Sequence, residues 1–351
     1  MGTSRNPSQY RAGIIGLGFI GAGDQAAAER LGQRVADLDG THRGALQNHP
    51  RIALVAGSSR DAGRRERFAQ ATNATVYADY REMLAAERLD LVSIATMTPD
   101  HAEQTIGCAQ AGVRAVYCEK PMAATLAQAE QMVAACRQAG TKLIINHNRR
   151  FVPNYRRLAD FIAAGKLGDL TGITIQWPSG RFGNVGTHFI DALRMLTRRE
   201  VCAVSATLDT AGRPDCRGAE FRDPGGWAFL RMDGGLMTVI NAPDYSREPA
   251  EIVIAGTLGR AKVAGNTVQI DIAGSPSDHW PTLSDGIKSM DLAVGEIVDA
   301  LDQDGSVCSS GEEALRDLEI ILACHASHAR RSAWVDLPLT GSDREIHLNS
   351  G

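Results

Sequence analysis

The sequence predicts two domains, a doubly wound parallel α/β sheet followed by an α+β domain with a mostly antiparallel sheet. Three observations carry this. At 351 residues the chain is longer than one hydrophobic core ordinarily fills. From residue 11 to 147 short apolar runs alternate with helical patterns, as repeated βα units require. Beyond residue 150 strand patterns cluster and Gly-rich turns join them. The predicted domains are therefore 11–147 and 148–351, with residues 1–10 a loose tail that carries neither a signal-peptide core nor a myristoylation pattern.

In the first domain the strand candidates are "AGIIG" (12–16), "IALVAG" (52–57), "LDLVSIA" (89–95), "VRAVYC" (113–118) and "KLIIN" (142–146). Their apolar residues are consecutive rather than alternating, which a parallel sheet covered on both faces produces. Two crossover helices are legible. "DHAEQTIGCAQAG" has Pro99 before it and Gly112 at its end, and "TLAQAEQMVAACRQAG" opens with Thr125 and Gln128 at capping-box spacing. In the second domain helices are expected at 154–165 and 188–197, and strands in "LTGITIQW" (170–177), "VCAVSATL", "GWAFLRMDGGLMTVINA", "AEIVIAGTLGRAKVAG" and "NTVQIDIAG". Helical patterns return at 285–303 and 311–331, before "SAWVDLPL".

Composition excludes several classes. The chain is 44% hydrophobic and 22% charged, with a net charge of -4 and no basic block, so neither nucleic acid nor an anionic membrane is an expected partner. No apolar run approaches the ~20 residues of a spanning helix. The seven cysteines, Cys108, Cys118, Cys136, Cys202, Cys216, Cys308 and Cys324, are scattered without a CxxC pair. That pattern fits a reducing cytoplasm, and no motif calls for a metal.

The first chemical motif is Gly16-Leu17-Gly18-Phe19-Ile20-Gly21, directly after the first strand. Glycines at this spacing let backbone N–H groups approach a pyrophosphate at a helix N-terminus. Residues 24–40 read as a surface insertion, which moves the expected helix start toward Thr41-His42. After the second strand stand Ser58, Ser59 and Arg60. Hydroxyls and a guanidinium suit a 2′-phosphate, so NADP is the expected cofactor. The alternative is NAD, with Asp61 on the ribose.

The fifth strand candidate stops on Glu119-Lys120-Pro121. Ligands of open parallel sheets sit outside the carboxyl ends of the strands, and there Lys120 faces the nicotinamide. Pro121 restricts the backbone of Lys120, and strand alternation sends Glu119 and Lys120 to opposite sides.

Together "GIIGLGFIG", "TMTPDHAEQ", "CEKPMA", and "SSGEEALRDLE" followed by "WVDLPL" resemble the Gfo/Idh/MocA family of nicotinamide-dependent oxidoreductases, over about residues 11 to 340. The resemblance implies a Rossmann domain followed by a domain whose large, mostly antiparallel sheet covers the nicotinamide and mediates oligomerisation. It implies hydride transfer between NAD(P) and a hydroxyl or keto carbon of a sugar, cyclitol or related polyol. Cofactor residues carried over are Gly16, Gly18, Phe19, Ile20, Gly21, Thr96, Thr98, Pro99, His101, Glu119 and Lys120.

The family's Asp-x-x-x-His signature falls on "GNVGTHFIDAL", where His188 is kept and Asn184 stands for the aspartate. Asparagine can bond a hydroxyl but cannot take its proton, so acid–base work falls on Lys120 and His188. Thr187, Asp191, Asn146, His147 and Arg149 complete the expected substrate residues, with Asp191 either supporting His188 or holding its helix. A homodimer or homotetramer is expected from the apolar strand residues between Trp227 and Ile254. Two other functions stay open: a cofactor-binding regulator without turnover, and a glycosidase that oxidises its substrate transiently.

Overall fold

The structure, a computed structural model, describes residues 9–210, 217, 218, 220–282 and 286–351. Residues 1–8 of the expected tail and Cys216 lie outside the described residues. The chain divides into two compact units. The first comprises the chain up to Ala123, Gln128–Asn148 and Gly286–Glu312, and the second Ala124–Ala127, Arg149–Asp285 and Glu313–Gly351.

The first unit is built on β1 (Tyr10–Ile15), the helices α1 (Phe19–Ala22), α2 (Gln25–Arg30) and α3 (His42–Asn48), then β2 (Ile52–Ser58), α4 (Ala62–Thr72), β3 (Thr75–Tyr77), α5 (Tyr80–Ala86), β4 (Leu91–Ile94), α6 (Thr98–Gln110), β5 (Ala115–Cys118), α7 (Leu126–Ala139) and β6 (Lys142–Ile145). All six strands run parallel in the order β3-β2-β1-β4-β5-β6. The order reverses between β1 and β4, which creates the crevice where such sheets bind ligands. β4 and β5 are buried at every position, as their unbroken apolar runs require. β3, only three residues at the sheet edge, gives no apolar run to read.

Tyr10 was read as the last residue of the tail, but it opens β1 and its hydroxyl donates to Asp302 Oδ1 at 2.6 Å. The partner comes from the returning segment. Residues 286–312, read from sequence as part of the second domain, form α10 (Ser289–Gln303) and pack on the first unit. Arg51 clamps Asp302 through two bonds of 2.9 Å, and the Ser309 carbonyl accepts from the N–H of Ile145, the last residue of β6, at 3.0 Å. The insertion is more than surface: Ala27 and Ala28 are buried against Phe19, with Ile20, Leu31, Val35 and Leu38 packed around them.

The second unit holds α8 (Pro153–Ala163), β7 (Leu170–Gln176), α9 (Thr187–Thr197), β8 (Val201–Leu208), β9 (Gly226–Met232), β10 (Met237–Ala242), β11 (Glu251–Gly256), β12 (Gly259–Ala264), β13 (Thr267–Ile272), β14 (Asp278–Trp280), α11 (Gly311–Ala329, nearly all of it in this unit) and β15 (Val335–Asp336). The nine strands run β14-β13-β12-β11-β7-β10-β9-β8-β15, antiparallel except for the β7–β10 pair. β9 alternates strictly, so Ala228, Leu230 and Met232 face inward while Trp227, Phe229 and Arg231 face out. Phe229 is 50% exposed and pairs across the ladder with Val239, also exposed. No described helix is long and apolar enough to cross a membrane.

Buried ion pairs hold α9 and α11 together. Arg194 donates to Asp317 Oδ1 at 2.8 Å, to both oxygens of Glu200 at 2.8 and 2.9 Å, and to Glu313 at 3.0 Å. Arg194 and Asp317 are both out of solvent, so removing Asp317 leaves the buried guanidinium with only the more exposed Glu200 and Glu313 carboxylates. Asp317→Ala is expected to lower stability by about 3 kcal/mol, read from the midpoint of urea unfolding, whereas cutting the exposed Arg34–Asp37 pair with Asp37→Ala should change it by less than ~1 kcal/mol.

Candidate active site

At the carboxyl edge of the parallel sheet, backbone bonds continue past the strand ends. Ala95 donates to Ile15 and Glu119 to Ile94, each at 2.8 Å. The ends of β1, β4 and β5, with Gly16, Thr96 and Glu119-Lys120, therefore lie side by side. Gly16 adopts φ 96°, and a Cβ there would meet Ala95 O at 2.5 Å. A Cβ on Gly21 would sit 1.9 Å from Gly16 O, so the turn closes only on glycine. Gly18 is different, because its nearest neighbour would be the Arg64 guanidinium at 3.5 Å and the backbone there is open to a ligand.

The helix behind these glycines is split. α1 is a single turn ended by Gly23 at φ 66°, and the longer α3 begins at Thr41, whose hydroxyl accepts from the N–H of Gly44 at 3.1 Å. The side chains of Phe19 and Ile20 pack against the insertion, which leaves their backbone for the loop.

Beyond β2, Ser58 is buried, the Ser59 hydroxyl accepts from the N–H of Asp61, and Arg60 is exposed beside Asp100 at 3.2 Å. Asp61 caps α4: Oδ1 accepts from the N–H of Arg64 at 2.9 Å, a bond that holds its carboxyl below the usual range. Arg64 escaped the sequence reading, as did buried Asp24, which takes two 2.8 Å bonds from Arg67 and lies 3.8 Å from Arg64. The signal was Asp24 beside the fingerprint and Arg64 and Arg67 one turn apart, yet only the fold joins them.

On the far side of the crevice, Thr98 and Pro99 open α6. Thr96 donates its hydroxyl to Gln104 at 2.7 Å. Buried His101 places its ring nitrogens 2.9 Å from Pro121 O and 3.2 Å from Thr96 O, tying the two loops together. Lys120 is half-buried, with a cis peptide to Pro121. Glu119 points inward to His42 at 3.1 Å and Asn146 at 2.6 Å. Asn146 and His147, expected to line substrate, are both buried.

In the second unit, residues 182–186 form a wide π turn that runs into α9, with Gly186 N donating to Arg181 O at 3.1 Å. Its floor is aromatic. Trp177 stacks on Phe189 at 4.9 Å, Phe182 meets Trp177 edge-on, and the Arg149 guanidinium lies 4.4 Å from the Phe189 ring. A Cβ on Gly186 would meet Trp177 at 3.0 Å. Asp223 organises the turn, accepting from the N–H groups of Gly183 and Asn184 at 2.7 Å each and from the Ser350 hydroxyl at 2.9 Å.

Asn184 is buried, and one of its amide bonds goes to Gly351 O at 3.4 Å. Thr187 is buried and His188 partly exposed one position later. Asp191 is fully buried, and Oδ1 accepts from Arg150 Nε at 2.5 Å. Of the two roles expected for Asp191, this bond belongs to the one that holds the helix. Arg150 was missed because "NRRF" offers two arginines and the sequence does not say which turns inward. Asp223, some 40 residues from the turn it caps, carried no local signal.

Residues 10–147 match the model of an oxidoreductase family with an NAD-binding Rossmann fold. D-apiose dehydrogenase of Paraburkholderia graminis is 34% identical over 167 residues, 47% of this chain and 40% of that protein. The mouse trans-1,2-dihydrobenzene-1,2-diol dehydrogenase is 36% identical over 118 residues, 33% of this chain and 35% of its own length, so these matches span well under half of the relatives. An uncharacterized oxidoreductase of Bacillus subtilis, YrbE, aligns more widely, at 27% identity over 74% of this chain and 77% of its own.

Among solved structures, the WlbA dehydrogenase from Bordetella pertussis in complex with NADH and UDP-GlcNAcA superposes with TM-score 0.78 at 24% identity, covering 95% of this chain and 99% of that one. Levoglucosan dehydrogenase in complex with NADH and levoglucosan gives 0.77 at 20%, covering 94% and 100%. At these identities the likeness concerns the fold. Residues 10–147 thus carry the NAD-binding Rossmann domain of the Gfo/Idh/MocA oxidoreductase family, and the two-sheet architecture is the fold shared with these structures.

Proposed function

We propose that the protein is an NAD(P)-dependent dehydrogenase or reductase acting on a hydroxyl or keto carbon of a sugar, cyclitol or related polyol. The observation that carries this reading is the shared strand edge, which sets the glycine loop beside Lys120. The open backbone at Gly18 and the closed turn at Gly16 and Gly21 suit a dinucleotide. The nicotinamide, when bound, supplies the hydride acceptor. Lys120 takes the hydroxyl proton in oxidation and returns it in reduction. His188 is the second polar group assigned to substrate, and Asn184 is assigned to orienting the hydroxyl.

Lys120→Met is expected to cut kcat at least about 1,000-fold while cofactor affinity, read by nicotinamide fluorescence, stays within about threefold. His188→Ala should lower kcat by a smaller factor. Near-normal kcat in Lys120→Met removes the proton-transfer role.

NADP is the proposed cofactor, recognised by Ser59, Arg60 and the newly placed Arg64. Asp61 commits Oδ1 to the α4 cap. Arg64→Ala and Arg60→Ala should each weaken NADP more than NAD, and Ser59→Asp should turn the preference toward NAD by repelling the 2′-phosphate. An unchanged ratio of kcat/KM for the two cofactors in all three variants contradicts the assignment.

The occupant proposed for the exposed face of β9 and β10 is a second copy of the chain. Trp227, Phe229 and Val239 form an apolar strip there, and Arg231 lies over exposed Trp334 at 5.3 Å. Identical faces meeting across a two-fold axis bury such a strip on both sides. Light scattering at micromolar concentration should give a dimer or tetramer, and Phe229→Glu should shift it toward monomer. A monomeric parent protein contradicts this.

A further inference from the structure

Beneath Lys120 the first unit buries four polar side chains that the proposed chemistry leaves without a task. Tyr117 and His42 are 0% exposed, Asn146 7% and Glu119 9%. They form one chain of bonds. The Tyr117 hydroxyl donates to Asn146 Oδ1 at 2.6 Å, and Asn146 Nδ2 donates to Glu119 Oε1 at 2.6 Å. His42 Nε2 lies 3.1 Å from the same Oε1, its ring tilted against Tyr117 at 4.8 Å. Among the described residues His42 Nδ1 is buried without a hydrogen-bond partner, so the proton belongs on Nε2, where the carboxylate accepts it. The other oxygen of Glu119 accepts from the backbone N–H of Lys120 at 3.3 Å.

A buried carboxylate is costly unless donors and a counter-charge surround it. Burial by itself would raise the pKa of Glu119. The bond from His42, the Lys120 charge and the Asn146 amide outweigh it and draw the group down to about 2. Coupling between two titrating groups is mutual, so whatever Lys120 does to Glu119 is returned in equal free energy. Other titratable groups bear on this site: Tyr117 and Cys118 from β5, with Asp39 and Cys308 reaching Tyr117. Burial raises Tyr117 and Cys118 well above their usual values, so both stay neutral near pH 7. Glu119, Lys120 and Asp39 are left as the groups whose charge matters, with His42 the donor on Glu119.

We propose that His42 and Asn146 are positioning residues that fix Glu119 as a carboxylate beside Lys120, and that this fixed charge sets the pH at which Lys120 exchanges its proton. The inference rests on the reading of Lys120 as the proton-transfer group. It gives the glutamate of the motif an internal role, because both of its oxygens already have partners inside the unit. His42 reaches it only because the chain resumes its helix after the insertion.

The sign follows from the charges. A carboxylate favours the protonated lysine, so Glu119→Gln lowers the pKa of Lys120. His42→Phe removes a donor that shares the negative charge, so the barer carboxylate raises it.

The test is competitive labelling of Lys120 with acetic anhydride across pH, read by mass spectrometry on the full chain without substrate. The half-labelling pH should fall by about one unit in Glu119→Gln, rise in His42→Phe, and return toward the parent value in His42→Gln, which keeps a donor. In the Glu119→Gln background His42→Phe should no longer move it. If Glu119→Gln does not fold, the two His42 variants carry the test. An unmoved half-labelling pH in Glu119→Gln, or in both His42 variants, overturns the proposal. Shifts as expected alongside near-normal turnover of Lys120→Met would leave the clamp standing and sink the role of Lys120 instead.

Discussion

The chemistry of the first unit depends on three parallel strands ending together. Because β1, β4 and β5 are hydrogen-bonded in register to their last residues and one step beyond, Gly16, Thr96 and Lys120 share one edge. No single loop creates this arrangement. A parallel sheet buried on both faces has no freedom to slip without exposing apolar side chains, so its register is among the most rigid features of the chain. The loops after β4 and β5 inherit that rigidity through His101, which bonds the backbone of both.

The second unit solves a different problem. Its sheet presents alternating faces, and its helices α9 and α11 are joined by buried charge rather than by apolar contact alone. Arg150 to Asp191 and Arg194 to Asp317 fix the rotation of α9 and therefore the direction of His188. The turn that precedes α9 is held separately, by the Asp223 carboxylate on two backbone N–H groups. Asn184 has its backbone N–H fixed there and its side chain buried. An aspartate buried at that place would need a counter-charge, and an amide does not.

Much of the fold was legible because its signals are local. Short apolar runs such as "LVSI" and "AVYC", repeated between helical patterns, are what a doubly covered parallel sheet produces, and the β9 alternation is what a half-covered one produces. The glycine fingerprint was legible because its three glycines fall within six residues, although Gly16 answers the distant Ala95 and only Gly21 answers a neighbour in the turn. What escaped was non-local. β3 is too short to give a pattern, and the return of residues 286–312 to the first unit depends on pairs such as Arg51 with Asp302. Arg64 beside Gly18, His42 on Glu119 and Asp223 under Asn184 join residues 39 to 77 positions apart, and no spacing rule connects them.

The central claim is that the protein moves hydride between a nicotinamide and a carbinol carbon. The direct measurement is the absorbance of reduced nicotinamide when the purified protein is mixed with NADP or NAD and a panel of aldoses, glycosides, inositols and sugar acids. The account predicts steady, stoichiometric cofactor reduction with at least one polyol, faster with NADP. Tight cofactor binding with no reduction by any member of the panel, or hydrolysis of a nitrophenyl glycoside without net cofactor change, would contradict it.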